Sequence, residues 1–144
     1  HDHRGEHERS EAYYRKALDI QADFAPAANN LAWNMAHQGG NIDEALGFAR
    51  IAKEQLPEDP AVMDTLGYLY YLKGSYLYAI TEFKDSLARK PDDPIITYHL
   101  GLAYHKNSEP DKAREYLEKA LALDPDFEGA KEAHSVLASL KEAG

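Results

Sequence analysis

Apolar side chains recur at intervals of three or four residues along much of this chain, which places them on one face of a helix. Leu66 and Tyr70 form one such series, and Ala79, Phe83 and Leu87 form the next. This spacing is typical of amphipathic helices, in which one face packs against a neighbour. The pattern therefore predicts two successive helices in this stretch.

Capping motifs mark where these helices should begin. The Asp-Pro pairs at 59–60 and 93–94 combine a capping side chain with a proline that suits the first helical position. They predict the start of the first helix in each of two helix pairs. The segments 41–44 and 108–111 resemble capping boxes, in which a side-chain acceptor is followed three residues later by a carboxylate. They predict the start of the second helix in each of two helix pairs, and Ser108 would cap the later of these second helices.

Prolines and glycines mark where helices should end. Pro57, Pro91 and Pro125 disfavour helical geometry in the residue before each of them, so each second helix should stop there. Gly39 and Gly40 lie between two periodic segments and are interpreted as a turn between helices.

The same features return after 34 residues. The first copy contains Leu66, Gly67, Tyr70, Ala79, Phe83 and Pro91, and the second contains Leu100, Gly101, Tyr104, Ala113, Leu117 and Pro125. This arrangement resembles the tetratricopeptide repeat, a helix-turn-helix unit of 34 residues. The resemblance implies an all-α solenoid, a right-handed superhelix of about seven helices.

The resemblance covers nearly the whole chain. It predicts complete repeats at 25–59, 60–93 and 94–127, the second helix of a partial repeat within 1–24, and a C-terminal capping helix within 128–144. Gly67 and Gly101 would lie in mid-helix, where glycine costs about 1 kcal/mol relative to alanine. We therefore expect a partner helix to approach closely there, near Ala79 and Ala113.

Composition excludes several classes of function. The 144 residues carry 16 Lys and Arg against 25 Asp and Glu, a net charge of −9, which disfavours binding to nucleic acid or to anionic membranes. The longest stretch without charged residues, 24–42, is too polar to span a membrane. The absence of cysteine excludes thiol chemistry and leaves both a bacterial cytoplasm and a periplasm or envelope compatible with the sequence. The start at His1 is interpreted as a piece of a longer protein.

No motif indicates catalysis. The chain contains neither a Ser-His-Asp elbow, nor a phosphate-binding glycine loop, nor an HExxH helix, so we predict that it is not an enzyme and needs no cofactor. His1, His3 and His7 could suggest a metal site, but a short histidine tract without fixed geometry is interpreted as a frayed end.

First helices line the concave face of such a solenoid, and that face is where binding is expected. The residues that the repeat register places there, and that we predict to contact a partner, are Asn29, Asn30, Trp33, His37, Asp64, Tyr68, Tyr71, Tyr98, His99, Leu102 and His105. Tryptophan and tyrosine are enriched among the residues that dominate binding energy. The sequence therefore predicts a scaffold for protein-protein interaction that binds a peptide or helical segment of a partner.

Some members of this family grip acidic C-terminal tails with Lys, Arg and Asn on their first helices. The matching positions here lack such a clamp, which predicts weak or no binding of acidic tails. A segment with apolar and aromatic anchors and a basic flank would suit the negative chain better.

Two other functions stay open. The chain could be a regulatory or substrate-docking segment of a larger enzyme or export system, because its first repeat is truncated. The run 29–71 also resembles tandem-repeat proteins of bacterial envelope and exopolysaccharide systems. Alternatively the chain could self-assemble as a homo-oligomer. In that case the partial first repeat would expose Tyr13, Tyr14, Leu18 and Ile20 to another copy.

Overall fold

The computed structural model describes residues 25–143, which form seven α-helices. In chain order they are α1 (Ala25–His37), α2 (Ile42–Gln55), α3 (Pro60–Lys73), α4 (Tyr76–Arg89), α5 (Pro94–Lys106), α6 (Pro110–Leu123) and α7 (Ala130–Ala143). The predicted all-α class is confirmed. The segment 1–24, which carries the self-assembly hypothesis and His1, His3 and His7, lies outside the described residues.

Each helix packs against the next one along the chain, and the first helices α1, α3 and α5 also contact one another in sequence order. The buried apolar side chains form three clusters that follow this order along the array. Each cluster fills the space between neighbouring helices, as expected for a repeat protein whose units bury their surface only against adjacent units. This arrangement brings the first helices together into one continuous face.

Three of the four predicted capping positions are confirmed. The Asp59 carboxylate accepts a hydrogen bond from the N–H of Ala61 at 2.9 Å, and Asp93 accepts from the N–H groups of Ile95 and Ile96 at 2.9 and 3.1 Å. Asn41 accepts from the N–H of Glu44 at 3.0 Å. These bonds satisfy backbone donors that the first turn of a helix leaves without partners.

The prediction for Ser108 is wrong. Helix α6 begins at Pro110 with Glu109 as its N-cap residue, and Ser108 has a left-handed backbone with φ of 61°. Because Pro110 occupies the first helical position, the cap falls on the residue before it, and Ser108 instead belongs to the turn after α5. Its N–H donates to the carbonyl oxygen of His105 at 3.1 Å.

The predicted helix ends agree with the structure. Helices α2, α4 and α6 end two residues before Pro57, Pro91 and Pro125, respectively. Gly39 has φ of 71°, and the N–H of Gly40 donates to the carbonyl oxygen of Met35 at 2.9 Å. The two glycines therefore form the turn between α1 and α2 that the sequence predicted.

The partner helices pack closely against the two mid-helix glycines, as the sequence predicted. A Cβ atom on Gly67 would lie 2.7 Å from the ring of Phe83, and one on Gly101 would lie 2.8 Å from the side chain of Leu117. The predicted close approach of the partner helix is therefore confirmed, and the buried Ala79 and Ala113 lie one turn before these nearest side chains. The large side chains one turn further along fill the space that the missing Cβ atoms leave.

Candidate functional site

A cavity of about 330 Å³ opens where the face of the first helices meets the start of α7. Seven of the residues predicted to contact a partner line it: Trp33, His37, Tyr68, Tyr71, Tyr98, His99 and Leu102. We call this site the aromatic cavity, because four of these residues are Trp or Tyr. They converge because each first helix repeats its inward side chains every three or four residues, which keeps them on one face.

Ring contacts connect the three first helices across the aromatic cavity. The Trp33 and His37 rings lie 4.1 Å apart between centroids, and the His37 and Tyr68 rings are stacked at 5.1 Å. Tyr68 lies 5.2 Å from His99, which in turn lies 5.6 Å from Tyr98. Such packing restricts the rotamers of the side chains, so much of the ordering cost of a binding surface is met before a ligand arrives.

Asp64 lies beneath this row of rings, not on its surface. Its Oδ1 atom is 2.8 Å from Nδ1 of His99, and the two residues are only 8% and 7% exposed. A buried carboxylate needs a hydrogen-bond partner, and the imidazole supplies one. Asp64 therefore positions His99 within the cavity wall.

The remaining predicted residues lie outside the cavity lining. Asn30 is exposed near the start of α1, Asn29 is half-buried beside it, and His105 is half-buried near the end of α5. The repeat register places them on first helices, but the structure does not bring them into the lining of the aromatic cavity.

Four lining residues were not predicted: Ile95, Glu128, Gly129 and Glu132. Three of them belong to the cap, which the sequence identified only as a solvating helix: Glu128 and Gly129 precede α7, and Glu132 lies in its first turn. A Cβ atom on Gly129 would lie 2.4 Å from the Tyr98 ring, so the absence of a side chain allows this segment to close against the cavity. A glycine at the start of the cap was the one available sequence signal.

The aromatic cavity carries negative charge from two glutamates. Glu128 and Glu132 lie at its edge, and neither lysine nor arginine from residues 25–143 contributes to the lining. Burial, followed by the charge of Glu132, raises the pKa of Tyr71 to about 12. Burial and the Glu132 carboxylate also raise the pKa values of Tyr68 and Tyr98. The tyrosines therefore stay neutral hydrogen-bonding groups at physiological pH.

The described helices offer little for other chemistries. Within residues 25–143, no three His, Asp or Glu side chains are grouped so that they could hold a metal ion. None of the described helices combines the length and the apolar character needed to cross a bilayer.

Comparisons with known proteins agree with the repeat pattern. Models of the tetratricopeptide repeat match residues 95–127 and 1–24, and a further model described as TPR repeat matches residues 67–108. The chain is also 27% identical over 136 residues to cellulose synthase operon protein C of Xanthomonas axonopodis pv. citri. This alignment covers 90% of this chain and 9% of that protein. It spans only 9% to 15% of the length of the first three curated relatives that it matches.

Solved structures share the fold at low sequence identity. A crystal structure of MamA protein superposes with a TM-score of 0.79 at 20% identity, covering 96% of this chain and 75% of that one. The first TPR of Spaghetti (RPAP3), bound to the HSP90 peptide SRMEEVD, superposes with a TM-score of 0.74 at 18% identity, covering 83% and 91%. At these identities the likeness is one of fold.

Proposed function

Because the chain belongs to the tetratricopeptide repeat family, we propose that it is a non-catalytic scaffold that binds a peptide or helical segment of a partner protein. The binding surface is the face of α1, α3 and α5, centred on the aromatic cavity. The repeat boundaries 25–59, 60–93 and 94–127, with a partial repeat in 1–24 and a cap in 128–144, are part of this proposal. The equivalent caps at Asp59 and Asp93 support those boundaries.

The observation that carries the proposal is the row of rings that crosses from α1 to α5. Trp33, Tyr68 and Tyr71 are only partly buried, so apolar and aromatic surface is available to a ligand. Trp and Tyr combine a large contact area with a polar group and lose little conformational entropy on binding. A cavity of about 330 Å³ matches anchor side chains of a segment better than a whole folded domain.

The charge of the site supports the exclusion of acidic tails. The Spaghetti (RPAP3) structure holds a peptide ending in Glu-Glu-Val-Asp. Such a tail would bring further carboxylates against Glu128 and Glu132, where the described part of the chain places no lysine or arginine in the lining to neutralise them. Like charges in an interface cost binding energy and suppress the wrong partners.

Selection from a random peptide library displayed on phage tests the proposal. We expect peptides that bind the chain, and we expect calorimetry to show at least about tenfold weaker binding to the Trp33→Ala/Tyr68→Ala variant, because truncating aromatic anchors costs more than about 1 kcal/mol. Circular dichroism checks that the variant keeps its helices. Tyr78→Ala is the matched control, since Tyr78 is 66% exposed and does not line the cavity. Equal binding to the wild-type chain and the double variant would reject the site.

A second candidate is that the chain is a docking segment of a longer protein in an export system. The observation that favours it is the similarity to cellulose synthase operon protein C, which extends over 90% of this chain but only 9% of that relative. The length of the full reading frame tests it. A frame that encodes little beyond these 144 residues would remove this candidate.

A further inference from the structure

We propose that the aromatic cavity accepts a cationic side chain, a lysine or arginine carried by the partner segment. This inference rests on the proposed function and specifies the chemistry of the anchor. Four aromatic rings and two carboxylates form one site, and no lysine or arginine among residues 25–143 lines it.

The aromatic rings of the cavity favour a cation. Trp33, Tyr68, Tyr71 and Tyr98 all line the cavity. Trp33 and Tyr68 lie 5.8 Å apart between ring centroids, and Tyr68 and Tyr71 are stacked at 6.0 Å. The π-systems of such rings attract lysine and arginine, and the attraction strengthens when the cation loses part of its water. A group of neighbouring rings therefore favours a cation over an anion of the same size.

The two carboxylates at the cavity edge also favour a cation. Glu128 and Glu132 are exposed at the cavity edge, and neither forms an ion pair with a lysine or arginine in the part of the chain that the structure describes. The charge of Glu132 acts on Tyr68, Tyr71 and Tyr98, so this one carboxylate is close to three of the four rings. An entering ammonium or guanidinium group would therefore meet π-systems and negative charge together.

Several carboxylates elsewhere among the described residues are paired with a lysine or arginine. Lys53 neutralises Glu82, and Lys73 neutralises Asp43, each at 2.5 Å. Arg89 pairs with Glu58. Glu128 and Glu132 differ from these paired carboxylates in lying beside the rings of the aromatic cavity without a lysine or arginine partner among the described residues, so a partner can complement their charge.

Other anchors fit this site less well. An anionic group would be repelled by Glu128 and Glu132. A neutral apolar group would cover the rings but would also take water from those carboxylates without replacing its hydrogen bonds, which costs free energy. A cationic side chain is the anchor that satisfies both the rings and the carboxylates.

The test uses peptides selected from the random library whose binding depends on Trp33 and Tyr68. We expect them to contain lysine or arginine, and we expect replacement of the essential lysine by norleucine, or of arginine by citrulline, to weaken binding at least about tenfold. Trp33 is the only tryptophan, so its fluorescence reports the site directly. Raising the salt concentration should weaken binding of the cationic peptide more than binding of its neutral counterpart.

Charge removal on the protein provides the matching half of the test. Glu128→Gln/Glu132→Gln should weaken the cationic peptide at least about tenfold and leave the norleucine peptide nearly unchanged. Glu54→Gln is the control, because Glu54 is exposed on α2 and does not line the cavity. Cavity-dependent peptides that lack lysine and arginine, or that tolerate norleucine, would overturn the inference and leave the proposed function standing. A selection without any cavity-dependent peptide would overturn both.

Discussion

The Nδ1 atom of His99 lies 2.8 Å from the Oδ1 atom of Asp64, so two buried side chains join α5 to α3 beneath the aromatic cavity. The two residues belong to successive helix pairs, and the same His99 ring lies 5.5 Å from Phe83 and 5.2 Å from Tyr68. One hydrogen bond therefore fixes both the packing between neighbouring helix pairs and the wall of the site.

A double-mutant cycle should show this coupling. Asp64→Ala and His99→Ala each leave the other polar group buried without its partner, so the two losses should not add. We expect a coupling energy of about 1.5–3 kcal/mol, the range for hydrogen bonds to charged groups. Urea denaturation of the two single variants and the double variant measures it. Losses that add to within about 0.5 kcal/mol would contradict the role given to this bond.

Alanine at Gly67 should destabilise the chain, although alanine favours helices. The new Cβ atom would lie 2.7 Å from the Phe83 ring, and overpacking of this kind costs about 1–3 kcal/mol. Gly47→Ala is the matched control, because Gly47 lies in α2 and a Cβ atom there meets nothing within 4 Å. That control should gain about 0.5–1 kcal/mol from helix propensity alone. The same sign of change in both thermal unfolding measurements would refute the packing argument.

Two ion pairs with equal N–O distances should differ in their contribution to stability. Lys53–Glu82 and Lys73–Asp43 both measure 2.5 Å, but the Glu82 side chain is 10% exposed and the Asp43 side chain is 74% exposed. Lys53→Met should cost about 1–3 kcal/mol, because it leaves a buried carboxylate without its cation. Lys73→Met should cost less than about 1 kcal/mol. Equal losses in chemical denaturation would show that burial does not decide the difference.

The raised tyrosine pKa values predict a loss of stability in alkali. Folding raises the pKa of Tyr71 from 10.0 to about 12, mainly through burial and then through the charge of Glu132. The folded chain therefore keeps this proton longer than the unfolded chain does. The associated stability is complete below the unfolded pKa and is lost as the pH rises through the folded pKa.

Tyr71→Phe tests this relationship, because phenylalanine cannot ionise. The free energy of unfolding of this variant should fall less steeply than that of the wild-type chain between pH 10 and about pH 12. Urea denaturation at a series of pH values measures both slopes. Glu132→Gln should lower the pKa of Tyr71 in an absorbance titration, while the contribution of burial remains. Identical slopes for the Phe variant and the wild-type chain would contradict the pKa shift.

The sequence by itself determined the secondary structure and the repeat. The starts of α2, α3 and α5 and the ends of α2, α4 and α6 followed from caps and prolines, since these signals act on backbone groups within a few residues. The helical spacing also identified most of the cavity wall, because residues three or four apart share a face whatever the helix packs against. The one local error, at Ser108, came from competition between two capping signals, which the proline of the next helix decided.

The tertiary structure alone decided which side chains meet across helices. Helix placement decides whether Asp64 faces a ligand or supports His99 and which side chain packs closest to Gly67. It also decides whether the cap adds Glu128 and Glu132 to the site. Placement is set by how whole side chains fill the space between helices, and residues far apart in sequence make those contacts. The repeat pattern locates the face of the first helices that we propose as the binding face, whereas the charge of that face depends on contacts that no local pattern encodes.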